Sequence, residues 1–134
     1  MYIIIAGCGR LGKELAMNMS NEGHDVVVID ENQNRLTTLP EGFNGITVNG
    51  MPFDEDVLME AGIQHADAVA AVTDDDNINL MTSEIARSLY HVRKVLTRIS
   101  DFEKVSTFES LGFHTICPTR VAALESESFL EGKE

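Results

Sequence analysis

The sequence is poor in several residue classes, and each shortage narrows what the protein can be. It has no tryptophan, three prolines and two cysteines in 134 residues. Cys8 and Cys117 form no zinc-binding signature, and a reducing compartment is the simplest setting for them. Basic residues are scarce: 10 Lys and Arg stand against 22 Asp and Glu, a formal net charge of −12. Such an acidic chain repels nucleic acid and anionic lipid, so we expect neither as a partner.

Long apolar segments are missing as well. No run approaches the roughly 20 apolar residues that span a bilayer, so we expect no direct membrane insertion. The first five residues are apolar but carry no basic leader or cleavage site, so we expect no signal peptide. Any action on a membrane is therefore expected to pass through another chain.

What the sequence does contain is an alternation of short apolar runs and helical patterns. The apolar runs predict six strands, at 2–6, 26–29, 46–48, 68–72, 95–99 and 115–116. The clearest of the helices between them carries an apolar face formed by Ile78, Met81, Ile85 and Leu89. No linker rich in Pro, Gly or Ser interrupts the pattern. It predicts a single α/β domain with a Rossmann-type, doubly wound, parallel six-stranded sheet.

The first predicted strand ends at a glycine-rich turn. Gly7, Gly9 and Gly12 stand between a strand and a helix, as the dinucleotide-binding fingerprint requires. Gly7 permits the tight turn, Gly9 lets a pyrophosphate approach the backbone, and Gly12 lets the helix pack close to the strand. The helix N-terminus adds free N–H groups and a partial positive charge. The turn therefore predicts a nucleotide-binding site.

An acidic residue stands where such a site needs one. Asp30 ends the second predicted strand, 23 residues after Gly7. A carboxylate there accepts hydrogen bonds from ribose hydroxyls and repels a 2′-phosphate. NAD(H), with ATP/ADP or AMP as alternatives, is thus favoured over NADP. The other interpretation of Asp30 is a surface aspartate that caps the following helix.

Further candidates fall at the same predicted edge of the sheet, and each has two interpretations. Arg10, in the glycine turn, either folds over the phosphates or stays in solvent. Arg98, near the end of the fifth strand, either reaches the phosphates or forms an ordinary ion pair. The acidic run at 73–77 predicts a helix cap, with a ligand rim or a weak cation site as the alternative. Cys8 is interpreted as a small residue that fits the turn, with a redox-sensitive thiol as the alternative.

Longer motifs surround these residues. They are Ile-Ala-Gly-Cys-Gly-Arg-Leu-Gly at 5–12, Gly-His-Asp-Val-Val-Val-Ile-Asp at 23–30, Ala-Gly-Ile-x-x-Ala-Asp-Ala at 61–68, Val-Thr-Asp-Asp-Asp-Asn-Ile-Asn-Leu at 72–80, Thr-Arg-Ile at 97–99, and Pro118. Together they resemble the RCK (KTN, TrkA N-terminal-type) regulatory domains of potassium uptake systems and channels, from Met1 to about Ala123. The resemblance implies a non-catalytic subunit that senses NAD(H) or ATP/ADP and gates a membrane potassium transporter or channel. It also implies a cytoplasmic location, held at the inner face of the membrane by that partner, and assembly into homodimers or larger rings.

The resemblance further implies which residues bind the nucleotide. Similar proteins have Gly-Asp after the third strand, where this sequence has Gly50 and Met51, so a carboxylate contact to the adenosine is lost and Met51 is left to pack on the base. The helix at about 119–131 is implied to reach across a neighbouring subunit, and its apolar residues favour an interface. No metal ligand is assigned. The implied binding residues are Gly7, Cys8, Gly9, Arg10, Leu11, Asp30, Gly50, Met51, Val72, Thr73, Asp74 and Arg98.

An enzyme is the alternative class. An NAD-dependent oxidoreductase needs a substrate domain and a proton-transferring group beside the nicotinamide. We find no room for such a domain after the last predicted strand and helix, and no Ser/Tyr/Lys or His/Asp constellation. A methyltransferase would need extra strands and a substrate cap. We therefore interpret residues 1–134 as one non-catalytic nucleotide-binding domain, with an oxidoreductase fragment as the alternative.

Overall fold

Six short strands form the centre of the computed structural model, which describes residues 1–133. They are β1 (Tyr2–Ala6), β2 (Asp25–Asp30), β3 (Ile46–Asn49), β4 (Ala68–Ala71), β5 (Lys94–Arg98) and β6 (His114–Ile116). All neighbouring strands are parallel, in the order β3-β2-β1-β4-β5-β6. The order reverses beside β1, which is the switch point of a doubly wound sheet. The predicted Rossmann-type α/β fold is therefore confirmed.

Helices connect successive strands, and a last helix follows β6. They are α1 (Arg10–Asn21), α2 (Gln33–Leu36), α3 (Glu55–Glu60), α4 (Asp76–Ser88), α5 (Phe102–Ser110) and α6 (Pro118–Leu130), and a 3₁₀ turn at Ile63–His65 precedes β4. Successive residues of the central strands point to opposite faces of the sheet, and both faces are buried. Ile4 packs with Leu58 and Ile63 on one face, whereas Ile5 packs with Leu36 beside α1 on the other. The carboxyl ends of the central strands are thereby held in a rigid edge.

Helix α4 forms where the sequence predicts it, but only part of its apolar face packs against the core. In the apolar face predicted from sequence, Met81 is 48% exposed and Leu89 is 56% exposed, whereas Ile85 is half-buried against the core. The fully buried residues are small or polar instead, and one of their hydroxyls bonds to β5: Thr97 Oγ1 donates to Ser83 Oγ at 2.6 Å. Small side chains let the helix lie close to β4 and β5. The buried residues of α4 are Asn79, Thr82, Ser83 and Ala86.

Helix α6 lies away from the sheet. None of its residues is buried, and Leu124 and Phe129 are 57% and 68% exposed. The face of β4, β5 and β6 next to α1 stays partly open and carries a cavity of about 520 Å³. This cavity lies at the amino-terminal ends of the strands, among Ala68, Lys94 and His114. It is therefore at the opposite edge of the sheet from the glycine turn.

Candidate nucleotide-binding site

The three glycines of the first turn have three different surroundings. Gly7 has φ +115°, a conformation that favours glycine, and a Cβ there would lie 2.8 Å from the Thr73 nitrogen. A Cβ on Gly12 would collide with the carbonyl oxygen of Gly7. A Cβ on Gly9 would meet no atom within 4 Å. Gly7 and Gly12 thus make the close turn, while Gly9 faces the open space that a phosphate would need.

The N-terminus of α1 is left without a side-chain cap. Gly9 is the N-cap residue, and the first turn carries no acidic residue. By contrast, α4 and α5 begin with Asp75 and Asp101, whose carboxylates accept backbone N–H groups, whereas α6 shares the uncapped start of α1. The first amides of α1 and the positive end of its dipole therefore remain available to an anion.

Asp30 is fixed at the end of β2. It is 3% exposed; its Oδ2 accepts a hydrogen bond from the Cys8 nitrogen and its Oδ1 accepts one from the Asn32 nitrogen, both at 2.8 Å. It does not cap α2, because Asn32 does so by accepting from the Asn34 nitrogen. An ionised carboxylate oxygen can accept more than one hydrogen bond, so each oxygen keeps capacity for a ribose hydroxyl. The carboxylate thus ties the glycine turn to the strand end that would meet the ribose.

Arg35 is a neighbour of this carboxylate that sequence analysis did not single out. Its Nη1 lies 3.8 Å from Asp30 Oδ2, and its side chain is 47% exposed. Its carbonyl oxygen accepts from Cys8 Sγ at 3.4 Å. In the sequence, Arg35 is a basic residue five positions after Asp30, in the short helix that follows β2. The segment around it is polar and forms only one helical turn, so no sequence pattern marks Arg35 as part of the site.

Cys8 lies in the glycine turn as a buried thiol, 2% exposed. Burial raises the pKa of the Cys8 thiol, and the charge of Asp30 raises it further, while Lys13 and Arg35 lower it. A raised pKa keeps the sulfur protonated at neutral pH, whereas a redox-sensitive cysteine needs an accessible thiolate. The geometry therefore favours the packing interpretation of Cys8.

Asn79 joins the ends of two strands at the far side of the turn. It is fully buried, and its Oδ1 accepts from both the nitrogen and the hydroxyl of Thr73, at 2.9 and 2.7 Å. Its Nδ2 donates to the carbonyl oxygens of Thr73 and Arg98, at 3.0 and 2.9 Å. In the sequence, Asn79 appears only as a member of the motif at 72–80. A single amide near the start of a helix has no sequence pattern that predicts its burial.

The aspartates that follow Thr73 have different hydrogen-bond partners. Asp75 caps α4 by accepting from the nitrogens of Asn77 and Ile78, at 2.8 and 3.0 Å, as the cap interpretation predicts. Asp76 accepts from the Ser100 nitrogen at 2.8 Å and so binds the loop after β5. Asp74 is exposed. Within residues 1–133, no group of His, Cys, Asp and Glu is arranged to hold a metal ion.

The remaining candidates also lie along this edge. Arg98 has a buried Nε without a hydrogen-bond partner, and neither it nor the exposed Arg10 forms an ion pair in the part of the chain that the structure describes. The Gly50 nitrogen donates to the Asp30 carbonyl at 3.0 Å, which places Gly50 and the half-buried Met51 beside the end of β2. Leu11 and Val72 pack in the core under the turn.

Known proteins resemble this chain in sequence and in fold. The family model of the TrkA-N domain matches residues 3–119. The chain belongs to the TrkA-N domain family. This TrkA-N domain is 40% identical over 123 residues to the Trk system potassium uptake protein TrkA of Streptomyces coelicolor, covering 92% of this chain and 55% of that protein. It spans about half the length of this curated relative and of the TrkA homologues of Pyrococcus abyssi and Pyrococcus horikoshii.

Solved structures agree with the family assignment. GsuK bound to ADP aligns with a TM-score of 0.81 and 26% identity, covering 99% of this TrkA-N domain and 34% of GsuK. The TrkA-N domain of the inner membrane protein ybaL from Escherichia coli has a TM-score of 0.83 at 19% identity, covering 99% and 96% of the two chains, and shows the shared fold. No helix within residues 1–133 is both long and apolar enough to cross a bilayer.

Proposed function

We propose that this TrkA-N domain is a nucleotide-sensing regulatory module of a potassium transport system. The observation that carries the proposal is the turn at Gly9, which opens onto empty space at an uncapped helix N-terminus. A diphosphate fits that chemistry, because backbone N–H groups and the helix dipole bind anions without a cationic surface. The relatives named as Trk uptake proteins support the potassium system, and the ADP-bound GsuK structure supports an adenine nucleotide.

The ligand we propose is NAD(H), with ATP, ADP or AMP as alternatives. The loop amides and Arg10 bind the pyrophosphate, Asp30 accepts from the ribose hydroxyls, and Met51 packs on the base. Thr73 and Arg98 contact the ligand beyond the pyrophosphate, where the hydroxyl and the unpaired Nε of Arg98 lie at neighbouring strand ends. The full proposed set is Gly7, Cys8, Gly9, Arg10, Leu11, Asp30, Gly50, Met51, Val72, Thr73, Asp74 and Arg98.

A binding role without catalysis is supported by where the histidines lie. His24, His65, His91 and His114 precede or begin strands β2, β4, β5 and β6, so they lie at the amino-terminal edge. The glycine turn is at the carboxyl edge, and hydride transfer requires a proton-transferring group beside the nicotinamide. We therefore propose a sensor rather than an oxidoreductase.

The sensor would act through assembly with other subunits. Apolar side chains of α4 and α6 stand exposed on two separate helices, which suits contacts with more than one neighbouring copy. We propose a homodimer or larger ring, cytoplasmic and bound to the inner face of the membrane through a potassium transporter or channel. A nucleotide that binds one arrangement of subunits more tightly shifts the population toward it, and an attached pore would respond.

Substitution of Gly9 tests the site directly. Gly9→Asp should abolish binding of NAD, ATP and ADP in calorimetric titration, because its carboxylate fills and charges the phosphate position. The fold should be kept, since Gly9 has φ −84° and a Cβ there meets nothing within 4 Å. Gly42→Asp is the matched control, because it adds the same charge at another exposed loop glycine. Undiminished binding of every nucleotide to Gly9→Asp, with unchanged circular dichroism, would refute the site.

A further inference from the structure

The ribose end of the proposed site contains a cation as well as an anion. Arg35 Nη1 lies 3.8 Å from Asp30 Oδ2, which is too long for a hydrogen bond but within the distance of an ion pair. The backbone of Arg35 is tied to the glycine turn, because its carbonyl oxygen accepts from Cys8 Sγ at 3.4 Å. Its guanidinium therefore starts from a backbone position next to the carboxylate that would bind the ribose hydroxyls.

The N–H donors of Arg35 remain largely unused. Its side chain is 47% exposed, and within residues 1–133 its guanidinium makes no hydrogen bond and no ion pair other than the one to Asp30. Asp30, by contrast, is buried and already accepts two backbone N–H groups. An incoming ribose substituent would therefore meet both the Asp30 carboxylate and a guanidinium with free donors.

Charges of both signs lie around this point. Asp30 and the exposed Glu31 are negative, Arg35 is positive, and the turn after β3 supplies Gly50 and Met51 rather than a carboxylate. A lone carboxylate rejects a 2′-phosphate by repulsion, whereas a neighbouring arginine binds a phosphate through paired N–H groups. The ribose subsite here combines a carboxylate that repels a phosphate with an arginine that can bind one.

We propose that Arg35 is a specificity residue, which sets how strongly the site discriminates between an adenosine ribose with a free 2′-hydroxyl and one with a 2′-phosphate. The proposal rests on the adenine nucleotide site proposed above. Arg35 offsets the repulsion from Asp30, so NAD remains the tighter ligand but NADP is only modestly weaker. Removal of the guanidinium leaves the carboxylate unopposed and widens the difference.

Calorimetric titration with two ligand pairs tests this role. NAD and NADP form one pair, and AMP and adenosine 2′,5′-bisphosphate form a second pair that differs only by the 2′-phosphate. Arg35→Gln should weaken NADP and the bisphosphate by about tenfold or more, the scale of a lost charge-assisted hydrogen bond, with a much smaller change for NAD and AMP. Arg35→Lys keeps the charge without the paired donors and should lie between.

The controls separate this role from general charge and from the underlying site. Lys104→Gln removes one charge from an exposed position on α5 and should leave both ligand ratios unchanged. Equal weakening of both members of each pair by Arg35→Gln, or the same ratio change in Lys104→Gln, would overturn the specificity role while nucleotide binding stands. A wild-type domain that binds none of the four ligands would instead overturn the proposed function.

Discussion

Asp30 combines a structural contact with a proposed ligand contact in one carboxylate. Its oxygens accept from the amides of Cys8 and Asn32, so it holds the glycine turn against the end of β2 before any ligand arrives. Buried carboxylates are retained where their charge is compensated, and two amides with the nearby Arg35 supply that compensation here. A ribose would therefore meet an acceptor whose position is already set, which lowers the ordering cost of binding.

Substitution of Asp30 should change both selectivity and stability. Asp30→Ala should weaken NAD binding and narrow the difference between NAD and NADP, because the repulsion of the 2′-phosphate is lost. Asp30→Asn keeps the shape, and we expect the same narrowing with a destabilisation of about 1–3 kcal/mol from an amide facing a backbone N–H group. Titration with both dinucleotides and urea unfolding measure the two effects. A wild type that binds NADP as tightly as NAD would contradict this role for Asp30.

At the scale of elements, helix α4 shows what the sequence could and could not predict. Strand–helix alternation and glycine punctuation located the elements, because a parallel sheet needs buried strands and crossover helices in sequence. The periodicity of α4 identifies an apolar stripe without saying which part of it the sheet covers. Met81 and Leu89 of that stripe are exposed, while Asn79 and Ser83 face the sheet with their polar groups bonded.

The candidate site was likewise only partly predictable from the sequence. The glycine turn and Asp30 could be located, because their spacing follows from one βαβ unit. Arg35 and Asn79 could not, because their relevance depends on contacts made after the chain folds: one with the Asp30 carboxylate, the other with two strand ends. Single polar residues on helices carry no pattern that separates such contacts from solvent exposure.

Replacing a buried polar side chain of α4 with an apolar one should change the free energy of unfolding in opposite directions at two positions, Asn79 and Thr82. Asn79→Leu leaves the Thr73 amide and the carbonyl oxygens of Thr73 and Arg98 without their partner, so we expect a loss of at least about 2 kcal/mol in unfolding free energy. Thr82→Val is the matched control on the same buried face, because the Thr82 hydroxyl has no hydrogen-bond partner within residues 1–133. We expect it to be neutral or stabilising by up to about 1 kcal/mol. Urea midpoints at constant m-value measure both, and equal losses would contradict the role of Asn79.

On the scale of the whole molecule, the two edges of the sheet carry different functional groups. The carboxyl edge carries the glycine turn, Asp30 and Arg98, whose Nε has no hydrogen-bond partner among residues 1–133. The amino-terminal edge carries the histidines and an open cavity beside α1. Between them, α6 leaves the carboxyl edge after β6 without burying a residue. A change at the nucleotide edge would thus reach a neighbouring copy through the helix that begins at that edge, while the net charge of −12 keeps copies apart unless apolar faces hold them together.

Helix α6 should therefore decide the state of assembly. Leu124→Glu places a charge in its exposed apolar face, and it should shift sedimentation toward the monomer because a charge is costly in an apolar interface. It should not unfold the domain, since Leu124 is 57% exposed and no residue of α6 is buried. Gln64→Glu, exposed on the 3₁₀ turn, adds the same charge elsewhere and should leave assembly unchanged. Sedimentation across a concentration series, with and without ADP, should show an association that the nucleotide alters. A wild type that stays monomeric at high concentration, unchanged by truncation before Val121, would refute both the interface and the regulatory coupling built on it.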